Sequence, residues 1–207
     1  MVDQAKFWDR MANRYSKQPI SDEDAYQKKL DVTQSFLKPT DALFEFGCGT
    51  GGTALKHAEF VDSILATDIS ANMLEIAEER RRQAGIKNVS FQQFNVESTP
   101  IEAGTYDAVL GMSILHLLGN REAVLKNVWN GLKPGGYFIS STVCIGTSLG
   151  ILKLILPLAK PFGLLPNVQF FTEEGLVSEL EAAGFQIEHR FRPNPKAAVF
   201  LVAKKVD

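Results

Sequence analysis

The segment Leu43-Phe44-Glu45-Phe46-Gly47-Cys48-Gly49-Thr50-Gly51-Gly52 constrains this chain more than any other. A short apolar run enters a turn with glycine at alternate positions, and helix-forming sequence follows at once. Glycine at 47, 49 and 51 lets the backbone turn sharply and leaves room for a ligand against the main chain. The helix beyond offers unpaired N–H groups and a positive dipole end, which favour a carboxylate or a phosphate. Asp68 closes the next apolar run, Ser63 to Thr67. A carboxylate at the end of that strand can accept hydrogen bonds from both hydroxyls of a ribose. The arrangement is one that binds a nucleoside.

Around this segment the pattern alternates. Strands are expected at 42–46, 63–67, 89–95, 106–112 and 137–141, with helices at 53–60, 71–84 and 121–130 between them. Ser70 and Asn120 stand where N-caps belong, and Gly85 where the second of these helices should stop. Two helices precede the alternation. One runs from Asp3 to about Tyr15, with Phe7, Met11 and Tyr15 on one face, and one from about Ala25 to Leu37, ending before Pro39. After it come a helix at 172–183 and two strands, 185–192 and 197–203, joined by Pro193-Asn194-Pro195 and therefore antiparallel. The fold class expected is α/β: a Rossmann-like, mostly parallel seven-stranded sheet with helices on both faces and an antiparallel C-terminal hairpin. A single domain over residues 1–207 is expected. Its parts are an N-terminal helical cap (1–40), a cofactor-binding core (41–142), a lid-like insertion (143–171) and a C-terminal helix and hairpin (172–207).

The formal net charge is −2, so there is no basic surplus to favour nucleic acid. The run Arg80-Arg81-Arg82 reads as the solvated face of a helix. Two cysteines, Cys48 and Cys144, make no disulfide framework and have no His at metal-ligand spacing, so no metal is expected. The N-terminus lacks the basic-then-apolar order of a signal peptide, and the expected location is the cytoplasm. Residues 145–168 are apolar but interrupted by Lys153, Lys160 and three prolines, which argues against a transmembrane span. That stretch overhangs the strand ends as a lid over an apolar pocket, forms a dimer contact, rests on a membrane surface through 145–166, or simply packs on the core. The chain is expected to be a monomer or a homodimer.

Gly47, Gly49 and Gly52 also satisfy G-x-G-x-x-G, the dinucleotide fingerprint, so an NAD(P)-dependent oxidoreductase is a competing reading. Glu45 weighs against it. A carboxylate in an otherwise apolar strand is costly unless paired, and it repels a pyrophosphate while welcoming an amine or a sulfonium.

Three runs carry a resemblance: Glu45 to Gly51, Thr67-Asp68-Ile69-Ser70-Ala71-Asn72-Met73-Leu74, and Leu132-Lys133-Pro134-Gly135-Gly136. Over about residues 30–205 the chain resembles the class I S-adenosylmethionine-dependent methyltransferases. Within them it is most similar to the small-molecule branch that includes the ubiquinone/menaquinone-biosynthesis C-methyltransferases. The resemblance implies methyl transfer from S-adenosyl-L-methionine to the O, N or C of a small, apolar acceptor by in-line displacement, releasing S-adenosyl-L-homocysteine. It implies that Glu45, Gly47, Cys48, Gly49 and Gly51 surround the methionine part and that Asp68 holds the ribose. Ile69 and Met73 should pack on the adenine, Asn95 and Val96 should meet its edge, and Met112 with Ser113 should lie beside the methyl donor. The family often has an acid where this chain has Asn95. No Asn/Asp-Pro-Pro-Tyr run follows the fourth strand, so adenine or glutamine amino groups are not the expected acceptors. His116 is a candidate general base or a packed histidine of its loop. Tyr15 is a second candidate catalytic residue, and it and Trp8 either close over the cofactor or dock the first helix. His57 and His189 read as surface residues. A module that binds the cofactor without transferring a methyl group is the other alternative.

Overall fold

The computed structural model describes residues 4–144, 168–194 and 197–206. Its strands are β1 (Ala42–Phe46), β2 (Ser63–Asp68), β3 (Val89–Gln93), β4 (Tyr106–Met112), β5 (Leu132–Thr142), β6 (Phe185–Phe191) and β7 (Val199–Lys205). They form a seven-stranded sheet in the order β3-β2-β1-β4-β5-β7-β6. β1 to β5 are mutually parallel, and β7 runs antiparallel to both β5 and β6. The expected fold class is the observed one. The helices are α1 (Gln4–Tyr15), α2 (Glu23–Ser35), α3 (Gly52–His57), α4 (Ala71–Gln83), α5 (Arg121–Gly131) and α6 (Glu173–Ala182).

Both faces of the sheet are covered, as a parallel sheet requires. Because side chains alternate along a strand, β1 sends Phe44 and Phe46 to one core with Val109, Phe138 and Leu180, and Leu43 to the other with Leu110, Ile139 and Phe200. Glu45 falls on the Leu43 side.

Local chemistry places the element ends. Ser70 Oγ accepts from Met73 N–H at 3.2 Å, Asn120 Oδ1 from Ala123 N–H at 3.1 Å, and Thr172 Oγ1 from Gly175 N–H at 3.0 Å. Each caps the helix that follows.

Several boundaries differ from the sequence reading. α2 begins at Glu23 because Asp22 Oδ1 takes Ala25 N–H at 2.9 Å. β5 starts at Leu132, and Pro134-Gly135-Gly136 lies inside it as an irregularity, with Tyr106 facing Leu132 but Ala108 facing Tyr137. β7 starts at Val199 because Ala197 N–H is held in the preceding turn by Asn194 O. Of the arginine run, Arg81 and Arg82 pair with Glu78 and Glu79 on the helix surface, but Arg80 does not. Its guanidinium donates to Thr50 Oγ1 at 2.6 Å and to Ser16 O at 3.0 Å. It ties α4 to the glycine turn and to the end of α1. Asp9 fixes the other end of that contact, accepting from Ser70 Oγ at 2.6 Å and Asn72 N–H at 3.2 Å. α1 therefore lies over the first turn of α4, at the C-terminal edge of the sheet.

Most of the expected lid-like insertion, 145–167, lies outside the described residues, and with it the expectation of membrane-surface contact. Among the described residues no helix is long and apolar enough to cross a membrane.

Candidate active site

Gly47, Gly49 and Gly51 have φ of +65°, +55° and +77°, the left-handed region that a Cβ disfavours. Space is a second reason for glycine here. A Cβ at Gly47 would meet the Ile114 side chain at 2.7 Å, and one at Gly51 would meet Phe91 at 2.7 Å and Ala77 at 2.9 Å. At these two positions the protein, rather than a ligand, fills the room a side chain would take. Over Gly49 the nearest atom to such a Cβ is Tyr15 Cε1, at 3.6 Å. The Tyr15 ring thus covers the middle of the turn.

Asp68 rivets the turn to the end of β2. Its Oδ2 accepts Gly49 N–H at 2.9 Å and its Oδ1 accepts Ser70 N–H at 2.9 Å. A carboxylate has about four acceptor positions, so two such bonds leave capacity for a ligand. Burial raises its pKa, and these backbone donors oppose the rise.

Glu45 is different. It is 1% exposed, and its Oε2 has no hydrogen-bond partner among the described residues. Burial, and next the charge of Asp68, push its carboxyl up to about 8. The empty protein therefore holds Glu45 largely protonated at neutral pH. The same burial, reinforced by Glu45 and Asp68, raises the Cys48 thiol, which excludes a reactive thiolate at this position.

A cleft of ≈ 720 Å³ opens at the C-terminal strand edge, a size typical of small-molecule sites. Glu45, Gly47, Cys48, Met112 and Tyr15 line it, as does Ser113. Ser113 has φ +56°, unusual for a residue with a side chain, and its N–H is held by Ser141 O at 2.6 Å. Asp68, Ile69, Met73, Asn95, Val96 and His116 are not on this wall. Asp68, Met73 and Val96 are buried, 9%, 2% and 7% exposed. Asn95 is exposed, and its Oδ1 is engaged by Glu97 N–H at 3.0 Å.

The histidines depart from the sequence reading. His57 is not a surface residue. It is fully buried on the cleft wall, neither ring nitrogen has a partner among the described residues, and burial pushes its pKa down to about 4. His189 is half-buried, with its Nε2 unpartnered and its ring 6.2 Å from that of Phe200. His116 sits in a 3-10 turn, Leu115–Leu117. Its Nδ1 is buried without a partner and burial lowers its pKa, while its carbonyl accepts Gln169 N–H at 2.7 Å. Tyr15 is 44% exposed, yet withdrawal from water, followed by the charges of Asp68 and Glu45, raises its hydroxyl pKa. Trp8 stands edge-on to Tyr15 at 6.2 Å, so the two belong to one aromatic group on α1.

Sequence reasoning missed Lys29, Ser141 and Arg80 as parts of the cleft. Lys29 followed Lys28 in an amphipathic helix and carried no motif. The strand-end serine announced only a polar residue.

Residues 43–136 match the family model described as a methyltransferase domain. Over that stretch, which holds the glycine turn and Asp68, the chain is similar to methyltransferase domains. The demethylmenaquinone methyltransferase of Lactococcus lactis is 34% identical over 110 residues, which cover 52% of this chain and 42% of that protein. The chain thus spans less than half the length of that relative. Among solved structures, the geranyl diphosphate C-methyltransferase of Streptomyces coelicolor, in complex with Mg2+, geranyl diphosphate and S-adenosyl-L-homocysteine, superposes with a TM-score of 0.77. The match covers 99% of this chain and 97% of that one at 16% identity. The [4+2]-cyclase SpnF superposes with a TM-score of 0.75 at 19% identity, covering 92% of this chain and 85% of its own. At these identities the structural likeness is one of fold.

Proposed function

We propose that the chain transfers a methyl group from S-adenosylmethionine to a small molecule with an apolar body, and that Glu45 is the partner of the cofactor's ammonium group. The observation that carries this reading is the orphaned carboxyl of Glu45. A buried acid without a partner is costly, and the same acid beside a cation becomes a charge-assisted pair. A pyrophosphate would instead bring negative charge beside Asp68 and leave Glu45 protonated with no cation to pair with, which disfavours the nicotinamide reading.

The remaining roles follow from the environment of each residue. Asp68 keeps acceptor positions free beyond Gly49 and Ser70 for ribose hydroxyls. Ile69, half-buried, offers apolar surface beside it for adenine, while Met73 is buried in the first turn of α4. With Asn95 Oδ1 engaged by Glu97, the edge contact falls to the main chain at Val96. When bound, the cofactor supplies an electrophilic sulfonium methyl group. The chain's own contribution is to orient that group and keep water away, through the Tyr15 cover and the Asp9 and Arg80 ties that hold α1 down. Tyr15, its proton held more tightly than usual, acts as a cover and hydrogen-bond donor rather than a base. His116 stays neutral at physiological pH, but it is off the cleft wall. We assign no general base.

A second reading, a protein that binds the cofactor but catalyses something other than methylation, is favoured by the likeness to a [4+2]-cyclase, since a fold does not fix a reaction. Thermal unfolding with S-adenosylmethionine, S-adenosylhomocysteine and NAD(P)H tests the cofactor. A ligand at 100 times its Kd stabilises by about 2.7 kcal/mol. Stabilisation by the first two only is expected, and stabilisation by the nicotinamide alone contradicts the reading. Transfer of labelled methyl to an acceptor panel then separates methyltransferase from non-transferring binder.

A further inference from the structure

The cleft wall carries apolar side chains, among them Ile20, Leu30, Val143 and Ala198, beside polar ones such as Ser21, Asp22 and Thr33. Two cations, Lys29 and Arg80, stand on that wall. Lys29 reaches from α2, half-buried, and its Nζ donates to Ser141 Oγ at 3.0 Å. Ser141, near the C-terminal end of β5, is 3% exposed. An ammonium has three donors. Among the described residues this one is matched by a single neutral hydroxyl, and no carboxylate pairs with it. Burial lowers its pKa, and the charge of Asp22, the N-cap of the same helix, works in the other direction. Arg80, also on the cleft wall, is already engaged with Thr50 and Ser16. Lys29 is thus a partly desolvated cation with donor capacity to spare, on the wall of a cleft that also presents apolar side chains.

We propose that Lys29 and Ser141 form an anion-recognising end of the acceptor pocket, so that the acceptor carries a carboxylate or similarly anionic oxygen on an apolar body. The assignment rests on the methyltransferase reading above and names the substrate class within it. The cofactor's own carboxylate is the other source of such an oxygen, and the sheet register argues against it. Glu45 on β1 faces Leu110 on β4, and Met112 on β4 faces Ser141 on β5. Ser141 is thus two strands from Glu45, about 10 Å at ordinary strand spacing. The cofactor carboxylate is separated from its ammonium by a single carbon. An ammonium held at Glu45 keeps that carboxylate on the β1 side of the cleft and leaves Lys29 to the acceptor.

Three variants test this: Lys29→Met, which keeps the aliphatic stem, Lys29→Arg, which keeps the charge, and Ser141→Ala, which leaves Lys29 in place should Lys29→Met not fold. In the first arm, S-adenosylhomocysteine affinity is measured by calorimetry. It is expected to stay within about two-fold of the wild type in every variant, and a loss of about ten-fold or more, the size of one charged hydrogen bond, would assign Lys29 to the cofactor and overturn the proposal. Absence of binding by the wild type itself removes the methyltransferase reading and this assignment with it, a result distinct from loss in the variants alone. In the second arm, protein saturated with S-adenosylhomocysteine is titrated with octanoate, cinnamate and 4-hydroxybenzoate, and with their uncharged amides. At least one acid is expected to bind about ten-fold more tightly than its amide. That preference should vanish in Lys29→Met, shrink in Ser141→Ala and persist in Lys29→Arg. A wild type that prefers none of the acids, or a Lys29→Met protein that keeps the preference, overturns the proposal.

Discussion

Two regions of this molecule treat their charged groups in opposite ways. In the C-terminal part, around α6, β6 and β7, Glu173, Glu174 and Glu179 have basic partners. Glu173, 9% exposed, accepts from Arg190 Nε through one oxygen and from an Arg192 guanidinium nitrogen at 2.9 Å through the other. Arg121 meets Glu179 in a fork at 2.8 and 2.6 Å, and Lys205 Nζ caps the carbonyls of Trp129 and Leu132 at 2.7 and 2.8 Å. At the glycine turn the polar groups are left short. Glu45 Oε2 and both nitrogens of His57 have no partner among the described residues, and Lys29 has one neutral partner. The difference separates scaffold from site. Apart from His189 Nε2, the C-terminal region meets its buried polar groups from within, whereas a region that binds keeps capacity for its ligand and carries a stability cost for it.

The largest effect is expected where site and scaffold overlap. Asp68→Ala removes two charge-assisted bonds to the main chain, each worth about 1.5–3 kcal/mol. It should lower stability in urea by about 3 kcal/mol and abolish stabilisation by S-adenosylhomocysteine. A stable variant with unchanged affinity would break the ribose assignment. Glu45→Gln should do the reverse of a scaffold mutation. Its expected cost is about 2 kcal/mol in S-adenosylhomocysteine affinity, about 30-fold, with little change in the unfolding midpoint of the ligand-free protein. If the empty protein were destabilised as much as by Asp68→Ala, Glu45 would belong to the scaffold and the contrast between the regions would fail.

pH sharpens the same contrast. Glu45 binds its proton more tightly folded, at about 8, than at its ordinary value of 4.5. Its contribution is therefore fully present below about pH 4.5 and is lost as pH rises towards 8. The ligand-free protein should lose stability across that window with a slope of at most about 1.4 kcal/mol per pH unit from this group. Chemical denaturation at half-unit pH steps should show the slope in the wild type and its loss in Glu45→Gln. The smallest effect is expected in the C-terminal region. Glu173→Ala, which breaks a partly exposed ion-pair group, should cost about 1 kcal/mol in stability and leave S-adenosylhomocysteine affinity unaltered. A change in affinity would mean that the hairpin and the site are coupled.

Elements fixed by local chemistry were legible in the sequence. The strand–turn–helix at 43–57, the caps at Ser70 and Asn120, and the antiparallel ending depend on neighbours in the chain, and each stands where the residues pointed. The unusual acid at Glu45 was legible too, because an ionisable group in an apolar strand stands out before its surroundings are known. What tertiary packing decides was not legible. His57 lies between Lys56 and Glu59 and reads as solvated until α3 is packed under α2. Lys29 and Lys28 are adjacent and look alike, yet Lys28 rests 3.9 Å over the Phe191 ring while Lys29 turns to Ser141 in the cleft. Arg80 carries the same charge as its two successors, and only the docking of α1 singles it out. The Pro134-Gly135-Gly136 run suggested a break before a strand, and long-range pairing with β4 absorbed it into one.

The most direct test of the central claim, that Glu45 waits protonated for a cation, is the proton count of cofactor binding. S-adenosylhomocysteine should be titrated by calorimetry at pH 6.5 in two buffers of different ionisation enthalpy. If the ammonium pairs with Glu45, binding must ionise the carboxyl, and close to one proton should be released per molecule bound, with affinity rising as pH approaches 8. In Glu45→Gln the release should disappear. Tight binding by the wild type with no proton released, or the same release in the variant, would contradict the account.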